Sequence, residues 1–124
     1  MGKNIVLDID ATLVHTHGDD DEYLNLKLFT DPKMAKHRGR LYTMNLTDVT
    51  SPPGTGEELK LYGIYRPWLK EFLDFCFKYF DNVIVWSAGK KKYVEKMCEL
   101  MFTDRNKQPL LIYSYKDCQI TDDY

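Results

Sequence analysis

The sequence predicts an α/β fold with a parallel sheet, and three observations support this. Short apolar runs of strand length lie at residues 5–7, 83–86 and 110–115. Segments with apolar side chains at helical spacing precede the second and third runs. Each run is followed by polar side chains capable of chemistry. Strands that alternate with helices favour a parallel sheet with right-handed crossovers, whose ligands lie beyond the carboxyl ends of the strands.

The first predicted strand, residues 5–7, stops at Asp8 and is followed by a polar stretch. Residues 15–22 read HTHGDDDE, and four consecutive acids repel one another. We therefore expect a solvated loop there. Residues 19–62 are predicted to be a small insertion after the first strand. It contains two strand-like runs, 41–46 and 59–65, separated by the turn-forming sequence SPPGTGEE.

A helix is predicted to begin near Arg66, because Pro67 suits the first turn of a helix. Apolar side chains then recur at helical spacing, and all of them are expected to face the core: Trp68, Leu69, Phe72, Leu73, Cys76 and Phe80. The run at residues 83–86 is continuously apolar, which is typical of a parallel strand buried on both faces.

A second helix is predicted over about residues 90–101, with an apolar stripe formed by Tyr93, Val94, Met97, Cys98 and Met101. It begins with three lysines, Lys90, Lys91 and Lys92, where the helix macrodipole disfavours cations. Two interpretations stay open. Either an anionic ligand lies nearby, or the lysines form a solvated face.

Length and composition limit the kinds of protein that this chain can be. It has 124 residues and a formal charge of −2, with 44% hydrophobic and 29% charged residues. These values predict one globular domain, residues 1–124. They exclude an overall positive charge that would attract nucleic acid. Three separated cysteines and the lack of a signal peptide or an apolar span favour a reducing compartment, cytoplasmic or nuclear, and no membrane partner.

The residues at the predicted strand ends have the parts for phosphoryl transfer. Asp8 and Asp10 are two residues apart, and such a carboxylate pair with phosphate oxygens suits Mg²⁺. Asp8 could then act as a nucleophile and Asp10 could exchange a proton. The candidate phosphate-binding groups are the two hydroxyls and the ammonium of Thr12, Ser87 and Lys116.

Three segments, LDIDATLV, VIVWSAG and YSYKD, resemble motifs of the haloacid dehalogenase-like (HAD) phosphohydrolase superfamily. Residues 7–15 and the stretch that begins IYRPWLKEFL are similar to its RNA polymerase II C-terminal-domain phosphatase branch, also called NLI-interacting-factor-like phosphatases. The resemblance implies a three-layer Rossmann-like fold.

The resemblance also implies roles for individual residues. Asp8 would form an aspartyl-phosphate, and Asp10 would protonate the leaving group and then activate water. Mg²⁺ would bind the Asp8 carboxylate and the Asp10 backbone carbonyl. Thr12 and Ser87 match phosphate-binding positions of the first and second motifs, and Lys116 matches the lysine that neutralises the nucleophile and phosphate. The implied substrate is a phosphorylated protein or peptide, dephosphorylated at serine or threonine.

The family's fourth motif, an apolar strand ending in acids, is not assigned to Asp122 and Asp123, which follow Lys116 too closely. The fold is therefore expected to be incomplete at its C-terminus. In the superfamily the fourth strand pairs beside the first, so residues 5–7 are expected to form an apolar edge strand, and a partner chain is a candidate to cover it.

Two other clusters have simpler interpretations. A solvated loop is favoured over a grip on an acidic partner for the basic residues Lys33, Lys36, His37, Arg38 and Arg40. His15, His17 and Asp19 could in principle bind a transition metal, but no partner elsewhere in the sequence supports that.

The leading hypothesis is a Mg²⁺-dependent phosphoserine/phosphothreonine phosphatase. A second is an inactive module that binds phosphate or protein. A third keeps the chemistry but acts on nucleic-acid ends or small phosphate esters, since the motifs recognise phosphoryl rather than what carries it.

Overall fold

The computed structural model describes residues 2–18, 30–47, 56 and 58–118. The chain divides into two compact units, one formed by Met1–Ile9 with Glu71–Tyr124 and the other by Asp10–Lys70. The strands and α-helices, in chain order, are β1 (Asn4–Asp8), β2 (Val14–His17), β3 (Leu41–Thr47), β4 (Glu58–Tyr65), α1 (Leu69–Tyr79), β5 (Asn82–Trp86), α2 (Lys91–Phe102) and β6 (Leu111–Tyr113). We call the first unit the parallel unit and the second the antiparallel unit.

The parallel unit contains a three-stranded sheet in the order β1-β5-β6, and both pairings are parallel. Leu7 lies opposite Val85, which in turn lies opposite Ile112. This confirms the three predicted strands and their parallel arrangement, although β6 is shorter than the predicted run. Among the described residues β1 pairs only with β5, so it lies at the edge of the sheet as expected.

One face of this sheet is packed and the other is open within the described part of the chain. Leu7, Val83 and Val85 are buried, whereas Val6 and Trp86, which alternate with them, are 60% and 39% exposed. Successive side chains of a strand point to opposite faces, which explains the alternation. The prediction that residues 83–86 are buried on both faces is therefore wrong.

Helix α1 begins at Leu69, two residues after Pro67, so Pro67 is not in its first turn as predicted. The residue between them, Trp68, has φ +65° in the left-handed region and is 76% exposed. Leu69, Leu73 and Cys76 are buried as predicted, but Phe72 is 42% exposed. The assignment of the aromatic residues to the core is thus wrong for Trp68 and Phe72, because the buried face of the helix is narrower than the apolar pattern.

Helix α2 confirms the second predicted helix to within a residue at each end. Lys90 occupies its N-cap position without a side-chain cap hydrogen bond, and Lys91 and Lys92 form its first turn. Its buried residues are Val94, Met97, Cys98, Met101 and Phe102. Burial raises the pKa of the Cys98 thiol to about 11.

The antiparallel unit is built on a sheet in the order β2-β4-β3. Strands β3 and β4 confirm the two runs predicted in the insertion, with Leu46 opposite Leu59. Strand β2 corrects the predicted loop at its start, because His15 and His17 pair in register with Ile64 and Tyr62. Pairing to β4 thus imposes a strand on a sequence without a strand pattern of its own.

Tyr42 packs directly over Gly63 in this sheet. A Cβ at Gly63 would clash with the Tyr42 ring and come within 2.7 Å of the His15 carbonyl oxygen. The Tyr42 hydroxyl is hydrogen-bonded to that of Thr16, and its ring centroid lies 4.6 Å from that of Tyr65. Burial raises the pKa of Tyr42 to about 12.

A 3₁₀ helix, Pro32–Arg40, replaces the solvated loop predicted for the basic cluster. Asp31 caps it, because an Asp31 carboxylate oxygen accepts from the Lys33 N–H at 2.9 Å. The Arg38 side chain donates to the Asp31 carbonyl at 3.2 Å. Across the described segments, no helix is both long and apolar enough to cross a bilayer.

Candidate active site

Asp8 is the last residue of β1, at the carboxyl edge of the parallel sheet. It lies opposite Trp86 in the parallel pairing, and its neighbours Leu7 and Ile9 are buried. One oxygen of its carboxylate accepts from the Ile9 N–H at 3.0 Å. The strand therefore fixes the backbone of Asp8 while the residue itself stays exposed.

Ser87 follows β5 directly and is one of the two buried polar residues of the described chain, at 1% exposure. Its N–H donates to the Tyr113 carbonyl at 3.1 Å, and its hydroxyl oxygen accepts from the Gly89 N–H at 3.0 Å. Its hydroxyl proton has no acceptor among the described residues. A buried donor without an acceptor is unfavourable, and a phosphoryl oxygen would satisfy it.

Lys116 lies in a short 3₁₀ turn, Tyr115–Asp117, that follows β6. Ser114 and Asp117 close this turn with a reciprocal capping box, in which the Ser114 N–H donates to the Asp117 carboxylate at 2.9 Å. The side chain of Lys91 lies next to that of Lys116, and their interaction, including the positive charge of Lys91, lowers the pKa of Lys116. Two lysines side by side concentrate positive charge that suits an anion.

Asp8, Ser87 and Lys116 thus follow the carboxyl ends of three neighbouring strands of one sheet, as the sequence predicts. Asp8 ends β1, Ser87 follows β5, and Lys116 comes three residues after β6. The Tyr115 N–H donates to the Gly89 carbonyl at 2.8 Å, which ties the turn of Lys116 to the loop of Ser87. This edge of a parallel sheet is where α/β proteins bind ligands.

Asp10 and Thr12 belong to the antiparallel unit, two and four residues after Asp8. They lie in a tight turn in which the Ala11 N–H donates to the Val14 carbonyl at 2.8 Å. Ala11 has φ +61°, a left-handed conformation that costs a non-glycine residue about 1 kcal/mol. Strained backbone of this kind clusters at functional sites.

Sequence reasoning missed the residues that support these groups. The Arg66 guanidinium donates to the Thr12 carbonyl at 3.0 Å, and its backbone N–H donates to the Leu13 carbonyl at 2.9 Å. A Cβ at Gly89 would come within 3.2 Å of the Ser87 hydroxyl oxygen and 2.9 Å of the Tyr93 ring. The available signals were the Arg-Pro pair and the glycine two residues after Ser87, but neither carries chemistry by itself.

Metal-binding groups are sparse in the described chain. No group of three or more His, Cys, Asp or Glu side chains is placed to hold a metal ion in the described ranges. The His15 and His17 rings contact each other edge to face with their centroids 4.1 Å apart, and Asp19, the third member of that candidate metal site, lies outside the described residues. Asp122 and Asp123 also lie outside them.

Asp8 and Asp10 still supply the oxygen ligands that Mg²⁺ prefers, and Mg²⁺ commonly uses only one or two carboxylates with water and phosphate.

The sequence model of the NLI interacting factor-like phosphatases matches residues 3–124. No curated protein sequence matches the chain significantly.

Solved structures that match this fold include two of one phosphatase. One is fission yeast RNA polymerase II CTD phosphatase Fcp1, as a variant bound to beryllium fluoride, and the other is Fcp1 described as an essential RNA polymerase II CTD phosphatase. Each match has a TM-score of 0.73 and 20% identity, covering 94% of this chain and 30% of the other. The predicted HAD-type α/β fold is confirmed, and this chain spans about 30% of the length of those structures.

Proposed function

Because the chain belongs to the NLI interacting factor-like phosphatase family, we propose that it hydrolyses phosphoserine and phosphothreonine in proteins through an aspartyl-phosphate. The observation that carries the proposal is the buried Ser87 hydroxyl. Its proton lacks an acceptor among the described residues, one position beyond the residue paired with Asp8. A phosphoryl group held by Asp8 would supply that acceptor.

In the first proposed step, an Asp8 carboxylate oxygen attacks phosphorus and the bond from phosphorus to the substrate oxygen breaks. Asp10 gives its proton to the departing alkoxide, so that serine or threonine leaves as a neutral alcohol. The Ser87 and Thr12 hydroxyls donate to the phosphoryl oxygens while negative charge spreads over them.

In the second step, Asp10 takes a proton from water as that water attacks phosphorus. The bond between phosphorus and the Asp8 oxygen breaks, which releases inorganic phosphate, restores the Asp8 carboxylate and leaves Asp10 protonated for the next cycle. Lys116 offsets the negative charge of Asp8 and phosphate in both steps. Asp8 and Asp10 are the proposed ligands of Mg²⁺, which when bound would reduce the repulsion between carboxylate and phosphate.

The test measures hydrolysis of an aryl phosphate and a phosphoserine peptide with Mg²⁺ or with EDTA. We expect Mg²⁺-dependent turnover, and Asp8→Asn should lower kcat by about 10³-fold or more because it removes the nucleophile. Asp104→Asn removes an exposed carboxylate two residues after α2, is the matched control and should retain activity. Turnover that survives Asp8→Asn would refute the mechanism, and peptide binding without any turnover would favour a binding module.

A further inference from the structure

The antiparallel unit contains a cavity that the proposed chemistry does not use. Its volume is about 310 Å³, and it is open to solvent on one side. Val14, Ile64 and Pro67 form apolar parts of its wall, and Thr12 also lines it. Thr12 follows Asp8 by only four residues, a separation of at most about 14 Å along the chain, so a ligand in the cavity lies within reach of a substrate that reacts at Asp8.

Two arginines line the same cavity, and each is held on a backbone carbonyl. Arg40 donates to the Tyr65 carbonyl at 2.8 Å and to His37 Nδ1 at 2.7 Å. Arg66 donates to the Thr12 carbonyl at 3.0 Å. Arg40 is half-buried, and its two hydrogen bonds fix the guanidinium in place before any ligand arrives.

Neither guanidinium forms an ion pair with a described carboxylate. A guanidinium has five N–H donors, so both arginines keep several for a ligand. Arginine binds carboxylate and phosphate through two parallel hydrogen bonds, which makes it well suited to either group. The cavity therefore combines room, fixed donors and positive charge.

We propose that this cavity binds a second anionic group of the substrate, a phosphate or a carboxylate close to the scissile phosphate. The inference rests on the proposed function, and it adds a preference for acidic or multiply phosphorylated sites. Arg40 and Arg66 would grip the second anion while Thr12 contacts the phosphoryl group that reacts. The wall formed by Val14, Ile64 and Pro67 would contact the aliphatic part of the same side chain.

The test compares kcat/KM for matched phosphoserine peptides. One has neutral residues on both sides, and the others carry glutamate or a second phosphoserine at each position up to four residues away. We expect at least one anionic series to be preferred by about tenfold or more, the effect of one charge-assisted hydrogen bond. Arg40→Gln and Arg66→Gln should each bring the ratio between the anionic and neutral peptides close to one.

Lys33→Gln is the matched control, because it removes an exposed cation of the same 3₁₀ helix that does not line the cavity. It should leave the preference intact. Arg40→Lys keeps the charge but not the paired donors, and should keep only part of the preference. If Arg40→Gln lowers the melting temperature, the comparison of peptides is made with Arg40→Lys instead. A wild-type ratio near one, or a ratio unchanged in both arginine variants, would overturn the proposal.

Binding measurements separate this proposal from the proposed function. The affinity of the Asp8→Asn variant for the same peptides, measured by fluorescence anisotropy, does not depend on turnover. Tighter binding of the anionic peptides that is lost with Arg40→Gln would support the subsite even if no hydrolysis occurs. Equal affinities for all peptides would refute the subsite even if the enzyme is active.

Discussion

Ser87 is buried to 1% exposure, but its hydroxyl still has a proton to donate. Its oxygen accepts from the Gly89 N–H, so rotation of the hydroxyl is the only freedom that remains. Placing the donor in advance means that little reorganisation is needed as charge develops on a phosphoryl group. The fixed position of Ser87 and the available proton of its hydroxyl are therefore what support its proposed role in binding phosphate.

Ser87→Ala should lower kcat by about 10²-fold, the usual effect of removing one such donor. It also leaves the Gly89 N–H without its acceptor, at a cost of about 1 kcal/mol in the free energy of unfolding. Steady-state kinetics and thermal denaturation separate the two effects. Ser87→Thr keeps the hydroxyl and should recover much of the activity, so a kcat equally low in both variants would contradict the role.

At the scale of elements, the sheet of the antiparallel unit depends on the contact between a large and a small residue. Tyr42 on β3 crosses Gly63 on β4, its partner in register, and its hydroxyl reaches Thr16 on β2. One tyrosine therefore links all three strands. The absence of a side chain at Gly63 is what lets the ring lie flat on the sheet.

Gly63→Ala should destabilise the protein by about 1–3 kcal/mol, because the added methyl group overlaps the Tyr42 ring and crowds the His15 carbonyl. Urea denaturation measures the loss. Gly39→Ala is the control, since a Cβ there would meet no atom within 4 Å. Equal stability of the two variants would show that Tyr42 can move aside at no cost.

The elements also show which features a single sequence can predict. Strands β1, β3, β4 and β5 were predicted because each is a compact apolar or β-branched run, and Asp8 and Ser87 were placed by the ends of two of them. Strand β2 was missed because its pairing comes from β4, about fifty residues later. The exposure of Trp68 was missed because it depends on a left-handed backbone. Arg40 is held at its cavity by the Tyr65 carbonyl, 25 residues later in the chain, which no local pattern could indicate.

At the scale of the whole molecule, each unit buries a weak acid. Cys98 in the parallel unit has its pKa raised from 9.0 to about 11, and Tyr42 in the antiparallel unit from 10.0 to about 12, both chiefly by burial. Tyr65 and Cys76 shift in the same direction. In each case the folded protein holds the proton more tightly than the unfolded chain does.

Stability should therefore be lost at alkaline pH. Below about pH 8 both groups are protonated in both states, so their contributions are complete. As pH rises, the unfolded chain releases the Cys98 proton from about pH 9 and the Tyr42 proton from about pH 10. Each loss grows toward about 3 kcal/mol once pH exceeds the folded pKa. Denaturation at pH 8 to 11.5 tests this.

The variants Cys98→Ala and Tyr42→Phe remove one titrating group each. Each variant should show a shallower decline than the wild type over its own pH range. A stability that stays constant from pH 8 to 11.5 would contradict the burial of both groups.

The chain has two tryptophans, and each unit contains one. Trp86 lies at the end of β5 with its ring centroid 5.2 Å from that of Tyr113, whereas Trp68 is 76% exposed. Variants that retain a single indole, Trp68→Phe and Trp86→Phe, would give emission from one unit at a time. The protein thus carries an intrinsic optical label in each unit, and fluorescence can reveal whether the two units unfold in one transition or in two.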